Sequence, residues 1–108
     1  MSAATLLFRV AVTGDSMRPT LHEGDWLLVR RLGRRPRVGE LVVVPDPREP
    51  RRLLVKRIAA VDGDAVTIVG DRPDASTDSR EFGPVELATI LGHPFFRYAP
   101  LDRVGVVR

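Results

Sequence analysis

Short apolar segments recur along the chain, and each is closed by glycine, proline or aspartate. Segments rich in valine, leucine and isoleucine and bounded by turn residues are typical of β-strands. They predict strands over residues 6–12, 26–31, 40–44, 52–61, 65–69, 85–91 and 103–107. No segment has a long 3.6-residue apolar period, so long helices are not expected. The pattern predicts an all-β fold, a compact antiparallel folded sheet or partial barrel, with a short helical turn after Ser16.

The length and composition fit a single domain over residues 1–108. The apolar fraction of 44% is ordinary for a folded protein. The absence of cysteine excludes disulfides, thiolate nucleophiles and zinc–sulfur sites. His22 and His93 are the two histidines, and they cannot form a three-ligand metal site without carboxylates. We therefore expect no metal and no cofactor.

The net charge of +3 is compatible with an acidic partner such as nucleic acid. The excess is concentrated in arginines that flank glycine and proline, and no helix-turn-helix or stacking-aromatic pattern accompanies them. We interpret these arginines as a solvated loop surface and expect no nucleic-acid partner. They are Arg30, Arg31, Arg34, Arg35, Arg37, Arg48, Arg51 and Arg52.

The longest apolar stretch near the start covers residues 3–12 and is interrupted by Arg9. It is far shorter than the roughly 20 residues that a bilayer span requires, and it lacks the features of a secretory signal. The sequence therefore predicts a soluble, cytoplasmic protein without an integral membrane segment. Peripheral membrane association and the oligomeric state are left open.

Lys56 is the only lysine, and it lies within an apolar strand. Alternation along the strand places it on the same face as Leu54 and Ile58, with Arg57 on the other face. One of the two cations must face apolar surroundings if the sheet packs on one side. Desolvation lowers the pKa of a lysine, and a neutral amine is a competent general base. The alternative is that Lys56 keeps its amine in water.

Ser16 lies in the turn GDSMRPTL, residues 14–21, directly after an apolar strand. Gly14 permits unusual backbone angles, and Pro19 stiffens the exit from the turn. Such a turn can expose a hydroxyl and direct nearby amides at an oxyanion. A deprotonated lysine can activate a serine without histidine or aspartate. The alternative is a serine that caps a turn and has no role in chemistry.

Three motifs follow one another along the chain. They are GDSMRPTL at 14–21 with EGDWLLV at 23–29 and GELVVV at 39–44, then VKRI at 55–58 with DGD at 62–64, and finally GDRPDASTDSREFGPV at 70–85. Together they resemble the nucleophile region, general-base segment and closing motif of the type I signal peptidase and LexA-type serine proteases. The resemblance implies the all-β fold of that group, a Ser/Lys dyad, and cleavage after small residues in an extended peptide.

At the matching positions the resemblance implies that Ser16 is the nucleophile and Lys56 the general base. Ser76 would hydrogen-bond the Lys56 amine, while Asp78 and Arg80 would form an ion pair that supports the loop. The alternative for this pair is a solvated salt bridge worth less than about 1 kcal/mol.

Other residues near these motifs are expected to support the site. Gly14 and the amide of Ser16 are candidates for the oxyanion turn, and Met17 is a candidate substrate-binding residue, with a place in the core as the alternative. Asp71 is expected to be a turn residue and Ser79 to be structural.

The chain departs from the bacterial pattern in several respects. Gly14 replaces a serine that helps the oxyanion hole in many bacterial signal peptidases, and Arg72 replaces a common asparagine. The membrane anchor and large insertions of the bacterial enzymes are not found in the sequence. In this respect it most resembles the short nickel-type superoxide dismutase maturation proteases, which remove an N-terminal extension.

These features predict a serine endopeptidase that binds a precursor polypeptide in extended form and removes a leader or pro-segment. The nickel superoxide dismutase precursor is one candidate substrate. A LexA-like self-cleaving protease is an alternative, but it needs a DNA-binding module and typically an Ala-Gly cleavage site, which the chain lacks. A second alternative is an inactive peptide-binding domain of the same fold, against which the presence of both Ser16 and Lys56 argues.

Overall fold

The computed structural model describes residues 7–31 and 34–108, and within these ranges most regular structure is β-strand. One short helix, α1, covers Ser79–Phe82, and 3₁₀ turns cover Pro73–Ala75, Leu87–Thr89 and Leu101–Arg103. The strands are β1 (Leu7–Ala11), β2 (Trp26–Arg30), β3 (Leu41–Asp46), β4 (Glu49–Asp62), β5 (Ala65–Val69), β6 (Val85–Glu86), β7 (His93–Ala99) and β8 (Gly105–Val106).

The strands form two antiparallel sheets of four strands each within the described ranges. The first sheet has the order β1-β2-β7-β8, and the second has the order β3-β4-β5-β6. An antiparallel bridge between Val43 of β3 and Gly92, just before β7, joins the two sheets. The predicted all-β antiparallel fold is confirmed.

Strand β3 lies between two hydrophobic cores. Leu41 and Val43 belong to the first core, while Val42 and Val44 belong to the second. All four side chains are fully buried. Successive side chains of a strand point to opposite faces, so an uninterrupted apolar run is expected where both faces are covered. The GELVVV motif therefore forms a shared wall between the cores.

Strand β4 is 14 residues long and joins β3 to β5. Its pairing with β3 places Lys56 opposite Val42 of the second core. Beyond Arg57 the strand pairs with β5, with a register irregularity between Ile58 and Ala60. Such an irregularity bends a strand and increases its twist. β4 therefore carries Lys56 along the edge of the second core before the sheet curves.

Most of the predicted strands are observed with shifts of a few residues at their ends. Residue 6 of the first predicted strand lies outside the described residues. The prediction over 85–91 is largely wrong, because the strand ends after β6 and the Leu87–Thr89 turn follows. The helical turn after Ser16 is confirmed, since the Leu21 amide donates to the Met17 carbonyl at 2.9 Å.

Strand β7 was not predicted, because Pro94 interrupts an otherwise aromatic segment. Proline removes a backbone donor and is usually confined to edges or strand ends. β7 lies between β2 and β8, but β8 pairs only with Phe96 and Arg97. Pro94 therefore lies beyond the short stretch that β8 covers.

A buried carboxylate holds the loop between β1 and β2 against the first sheet. Asp25 accepts hydrogen bonds from Arg97 at 3.1 Å and from Arg103 at 3.0 Å, and from the His22 amide at 2.9 Å. Burial raises the pKa of Asp25, but the hydrogen bonds and charges of its partners outweigh this and lower it. The loop that contains Ser16 is thus fixed at its second end.

Within residues 7–31 and 34–108, no helix has the length and apolar character needed to cross a lipid bilayer.

Candidate active site

Ser16 lies in the loop between β1 and β2, half-buried at the start of the single helical turn. Gly14, two residues earlier, has a φ of 76°, a conformation that favours glycine. Met17 and Leu21, which follow Ser16, are buried in the first core. The core therefore anchors one side of the turn and leaves the Ser16 hydroxyl at its surface.

Ser16 and Lys56 border the same cleft, which has a volume of about 250 Å³. Its two long walls are residues 11–17 and residues 52–56, and Arg48, Ala75 and Thr77 complete its lining. The first wall comes from the first sheet and the second wall from β4. The predicted nucleophile and general base thus line one cleft from opposite walls.

Lys56 is buried, with only 3% of its surface exposed. Its Nζ donates a hydrogen bond to Ser76 Oγ at 3.0 Å. Within the described part of the chain Nζ has no direct hydrogen bond to Ser16. The alternative that the amine remains in water is wrong. Burial lowers the pKa of Lys56; Asp78 opposes this effect, while the positive charges of Arg52 and Arg80 reinforce it.

Asp78 is fully buried, with 0% exposure, and organises the loop that holds Ser76. It accepts hydrogen bonds from Ser76 Oγ at 2.7 Å and from the Gly70 amide at 2.9 Å. It also accepts from the amide and the Nε of Arg80, at 3.1 and 2.9 Å. The predicted ion pair is present, and the alternative of a fully solvated pair is wrong because the carboxylate is buried.

The charge of Asp78 is retained to low pH. Burial acts against this charge, but the hydrogen bonds from Arg80, Ser76 and Gly70 outweigh the effect and hold the pKa of Asp78 well below its usual range. Ser76 consequently donates its own proton to a carboxylate and keeps an oxygen lone pair for the Lys56 amine. The result is a chain of contacts from Lys56 through Ser76 to Asp78.

Gly70 provides the close approach between the Ser16 turn and the Ser76 loop. A Cβ atom at this position would lie 2.3 Å from Ser76 Oγ and 2.6 Å from the Ser16 carbonyl oxygen. Next to it, the Arg72 amide donates to the Ser16 carbonyl at 2.8 Å. The backbone of residue 72 makes this contact, while its side chain pairs with Asp74 at 3.4 Å. The contact between residue 72 and the Ser16 turn therefore does not involve the side chain at this position.

Asp71 was predicted to be a turn residue, and in the structure it also connects two separate segments of the chain. It accepts hydrogen bonds from Arg57 Nε at 2.8 Å and from Thr20 Oγ1 at 2.6 Å. It thereby joins β4 to the far end of the Ser16 turn. Alternation along β4 indicated that Arg57 points away from Lys56, but no sequence signal identified its partner. Ser79 is structural as predicted, since its Oγ accepts from the Ile68 amide at 2.9 Å.

Met17 packs mainly as a core residue, with 1% of its surface exposed. Its sulfur accepts a hydrogen bond from the Asp71 amide at 3.4 Å. It also belongs to the lining of the cleft, below the surface. The core alternative describes most of its contacts, and a contact with substrate stays a prediction.

The backbone amide of Ser16 has no hydrogen-bond acceptor within residues 7–31 and 34–108. The Gly14 amide donates to Glu23 Oε1 at 3.4 Å, a long contact. A free amide at the base of the turn is the kind of donor that an oxyanion requires. Gly14 itself has no side chain that could serve as a further donor.

The chain belongs to the signal peptidase family, peptidase S26, whose family model matches residues 1–72. Together with the relatives described next, this match establishes that the protein is a serine peptidase of the signal peptidase I type.

Several of the relatives are mitochondrial inner membrane protease subunits. Subunit 1a of the ATP-independent protease from Arabidopsis thaliana is 36% identical, over 90% of this chain and 73% of the relative. Subunit 1 from Homo sapiens is 28% identical, over 92% and 74% of the two chains. A probable signal peptidase I-1 from Synechocystis is 24% identical, over 87% and 72%.

Asp78→Ala should lower the free energy of unfolding by about 3 kcal/mol, because it leaves several donors without their buried acceptor. Urea unfolding measures this loss. The pKa of Asp78 is lowered, so its contribution should be complete above about pH 4 and should decline only in stronger acid.

Asp74→Ala is the matched control, since the Asp74 side chain is 76% exposed in its pair with Arg72. Its effect should be below about 0.5 kcal/mol. Equal losses in the two variants would contradict the role of Asp78 as the centre of a buried network.

Proposed function

We propose that this protein is a serine endopeptidase in which Ser16 is the nucleophile and Lys56 the general base, and that it removes an N-terminal leader or pro-segment from a precursor polypeptide. One observation carries the proposal. The only lysine of the chain is buried, has a lowered pKa, and borders the same cleft as Ser16.

The reaction is acyl transfer to water. Neutral Lys56 Nζ accepts the Ser16 hydroxyl proton as Oγ attacks the carbonyl carbon of the scissile peptide bond. The resulting ammonium then protonates the leaving amine, and an ester remains on Ser16. Lys56, neutral again, removes a proton from water as the water attacks the ester carbonyl. The Lys56 ammonium then returns this proton to Ser16 Oγ as the C–O bond breaks and the second product leaves.

Ser76 and Asp78 position the base in this scheme. The hydrogen bond from Nζ to Ser76 Oγ limits the orientations of the amine, and Asp78 fixes the Ser76 hydroxyl in turn. The negative charge of Asp78 also favours the ammonium that forms during the attack. Hydrogen bonds at catalytic groups often shorten or form only with substrate bound. Ser16 and Lys56 can therefore come into contact when a peptide fills the cleft.

The free amide of Ser16 is the proposed oxyanion donor. It lies in the same residue as the nucleophile, so the developing negative charge forms next to it. Gly14 contributes the backbone conformation of the turn and no side-chain donor. In subtilisin the removal of one oxyanion donor costs about 2.7–4 kcal/mol, which is the scale on which this amide would contribute.

The substrate is proposed to be a precursor bound as an extended strand between the two cleft walls, where backbone pairing provides affinity and shallow pockets select side chains. The relatives are named as mitochondrial inner membrane proteases and as a signal peptidase, which supports precursor processing in general. These names do not point to nickel superoxide dismutase, and its precursor remains one candidate to assay. The predicted cytoplasmic location stays a prediction.

Ser16→Ala should reduce kcat/KM for a precursor peptide at least about a thousandfold, because the nucleophile is lost. Its unfolding free energy should change by less than about 0.5 kcal/mol, since the Ser16 hydroxyl lies at the surface of the turn. Lys56→Arg should have the same effect on activity, because a guanidinium stays protonated and cannot act as the base.

A serine-reactive fluorophosphonate or lipopeptide probe provides an assay that does not require the natural substrate. The parent protein should be labelled at Ser16, and Lys56→Met should not. Labelling of both proteins at equal rates would favour the alternative of an inactive peptide-binding domain.

The pH dependence of kcat/KM should show an acidic limb that belongs to Lys56. The protonated amine cannot act as a base, so activity should rise with pH through the lowered pKa and level off above it. The midpoint should lie below 10.5, the usual value for lysine. Rates measured from about pH 5 to about pH 11 give the midpoint. A profile that is still rising at the usual pKa of lysine would contradict the buried-base mechanism.

Gly70→Ala should reduce kcat/KM by about 10- to 100-fold, because the added Cβ forces the Ser16 turn and the Ser76 loop apart. Gly105→Ala is a matched control, since a Cβ there has no atom within 4 Å. Steady-state kinetics with a precursor peptide compare the two variants. Equal activity in both would show that the spacing set by Gly70 is not needed.

A further inference from the structure

The sequence indicated that Arg52 lies in a solvated loop. In the structure it lies on the wall of the cleft instead. It belongs to β4, four residues before Lys56, and it borders the same cleft. It follows directly beyond the last regular pair of β3 and β4, Pro45 with Leu53, where the register shifts. Leu54 and Lys56 are buried, whereas Arg52 is exposed. The guanidinium therefore lies where the cleft opens to solvent.

The other permanent charges that border the cleft already have partners. Arg48 donates two hydrogen bonds to Asp46, at 3.1 and 3.0 Å. On the opposite wall, Asp15 pairs with Arg18 at 2.9 Å. Lys56 is neutral in its active form. None of these three groups therefore offers a ligand an uncompensated charge.

Arg52 has no such partner. Within residues 7–31 and 34–108 it makes no hydrogen bond or ion pair, and its electrostatic effects are felt at Asp46 and Lys56. Asp46 is already occupied by both nitrogens of the Arg48 fork. A planar guanidinium with its donors free is suited to a carboxylate, which it can bind through two parallel hydrogen bonds.

We propose, on the basis of the proposed protease function, that Arg52 is a specificity-determining residue that binds an aspartate or glutamate side chain of the substrate. Four residues of strand correspond to about 13 Å between Arg52 and Lys56. An extended substrate has the same rise per residue. The acidic residue therefore lies about four residues from the scissile bond, and the length of the arginine side chain allows one residue more or less.

The positive charge of Arg52 is also compatible with Lys56 acting as the base. The charge of Arg52 disfavours the ammonium form of Lys56 and so helps to keep the amine neutral. A substrate carboxylate would reduce that effect when it binds. Each comparison below therefore uses two peptides on the same enzyme variant, at a pH above the acidic limb, where Lys56 is already neutral.

The test begins with a synthetic library of peptides that contain small residues at the cleavage site. Digestion by the parent protein and by Ser16→Ala identifies peptides that are cut through Ser16. One such peptide is then prepared with glutamate, glutamine or lysine at each position from three to five residues on either side of the cleaved bond. The kcat/KM values of these peptides are measured with Arg52→Gln, Arg52→Glu and the parent.

The parent should cut the glutamate peptide about three to ten times faster than the glutamine peptide at one of these positions. Arg52→Gln should lose this preference, and Arg52→Glu should prefer lysine instead. Arg51→Glu is the matched control for Arg52→Glu, because it makes the same change in net charge one residue away and Arg51 does not line the cleft. It should keep the preference for glutamate.

Equal rates for glutamate and glutamine at all tested positions, or a preference that survives in Arg52→Gln, would overturn the inference while leaving the protease function intact. If the library is cut equally by Ser16→Ala, the protease function itself fails. In that case the glutamate, glutamine and lysine residues are placed at each position of one library peptide in turn. Fluorescence anisotropy then measures binding of these peptides to Ser16→Ala with and without Arg52→Gln. A glutamate preference that Arg52→Gln removes supports the site, and no preference overturns it.

Discussion

The site depends on keeping one amine away from water while giving it a single hydroxyl as its hydrogen-bond partner. Lys56 meets this condition because β4 presents it on the face that packs against the second core, opposite Val42. Burial favours the neutral form, and Ser76 prevents the amine from being left without a partner. Asp78 is the group that makes this arrangement rigid. Its own charge is tolerated because its hydrogen bonds compensate for the loss of water.

The two halves of the proposed dyad come from different sheets, so the geometry of the site is set by how the sheets meet. Ser16 extends from the first sheet and Lys56 from the second, and β3 contributes side chains to both cores between them. The Ser16 turn is held by contacts to three separate places. The Ser16 carbonyl accepts a hydrogen bond from the Arg72 amide, and the Thr20 hydroxyl donates one to Asp71. Asp25, bound by Arg103, fixes the end of the loop.

The parts that could be predicted from the sequence are those that depend on local pattern. Alternation in β4 indicated that Lys56 and Arg57 lie on opposite faces and that one of them is buried, without deciding which. The resemblance carried by the closing motif indicated Ser76, Asp78 and Arg80 before their contacts were known. The pairing of Arg57 with Asp71 and the exposure of Arg52 to the cleft could not be predicted, because they arise from the packing of distant segments. β7 was missed because Pro94 argues against a strand. The structure accommodates Pro94 because β8 pairs only with Phe96 and Arg97 and does not reach it. The family-level prediction is confirmed, whereas the narrower likeness to nickel superoxide dismutase maturation proteases is not supported by the relatives.

The division of the site between two sheets has a consequence for the time at which the enzyme becomes active. The complete set of groups requires the chain from the Ser16 turn to Asp78, and it requires β3 to be packed on both of its faces. A partly synthesised or partly folded chain would hold a serine and a lysine that do not face each other. Such a chain has no protected amine and no ordered turn, so the fold itself delays proteolytic competence until assembly is finished.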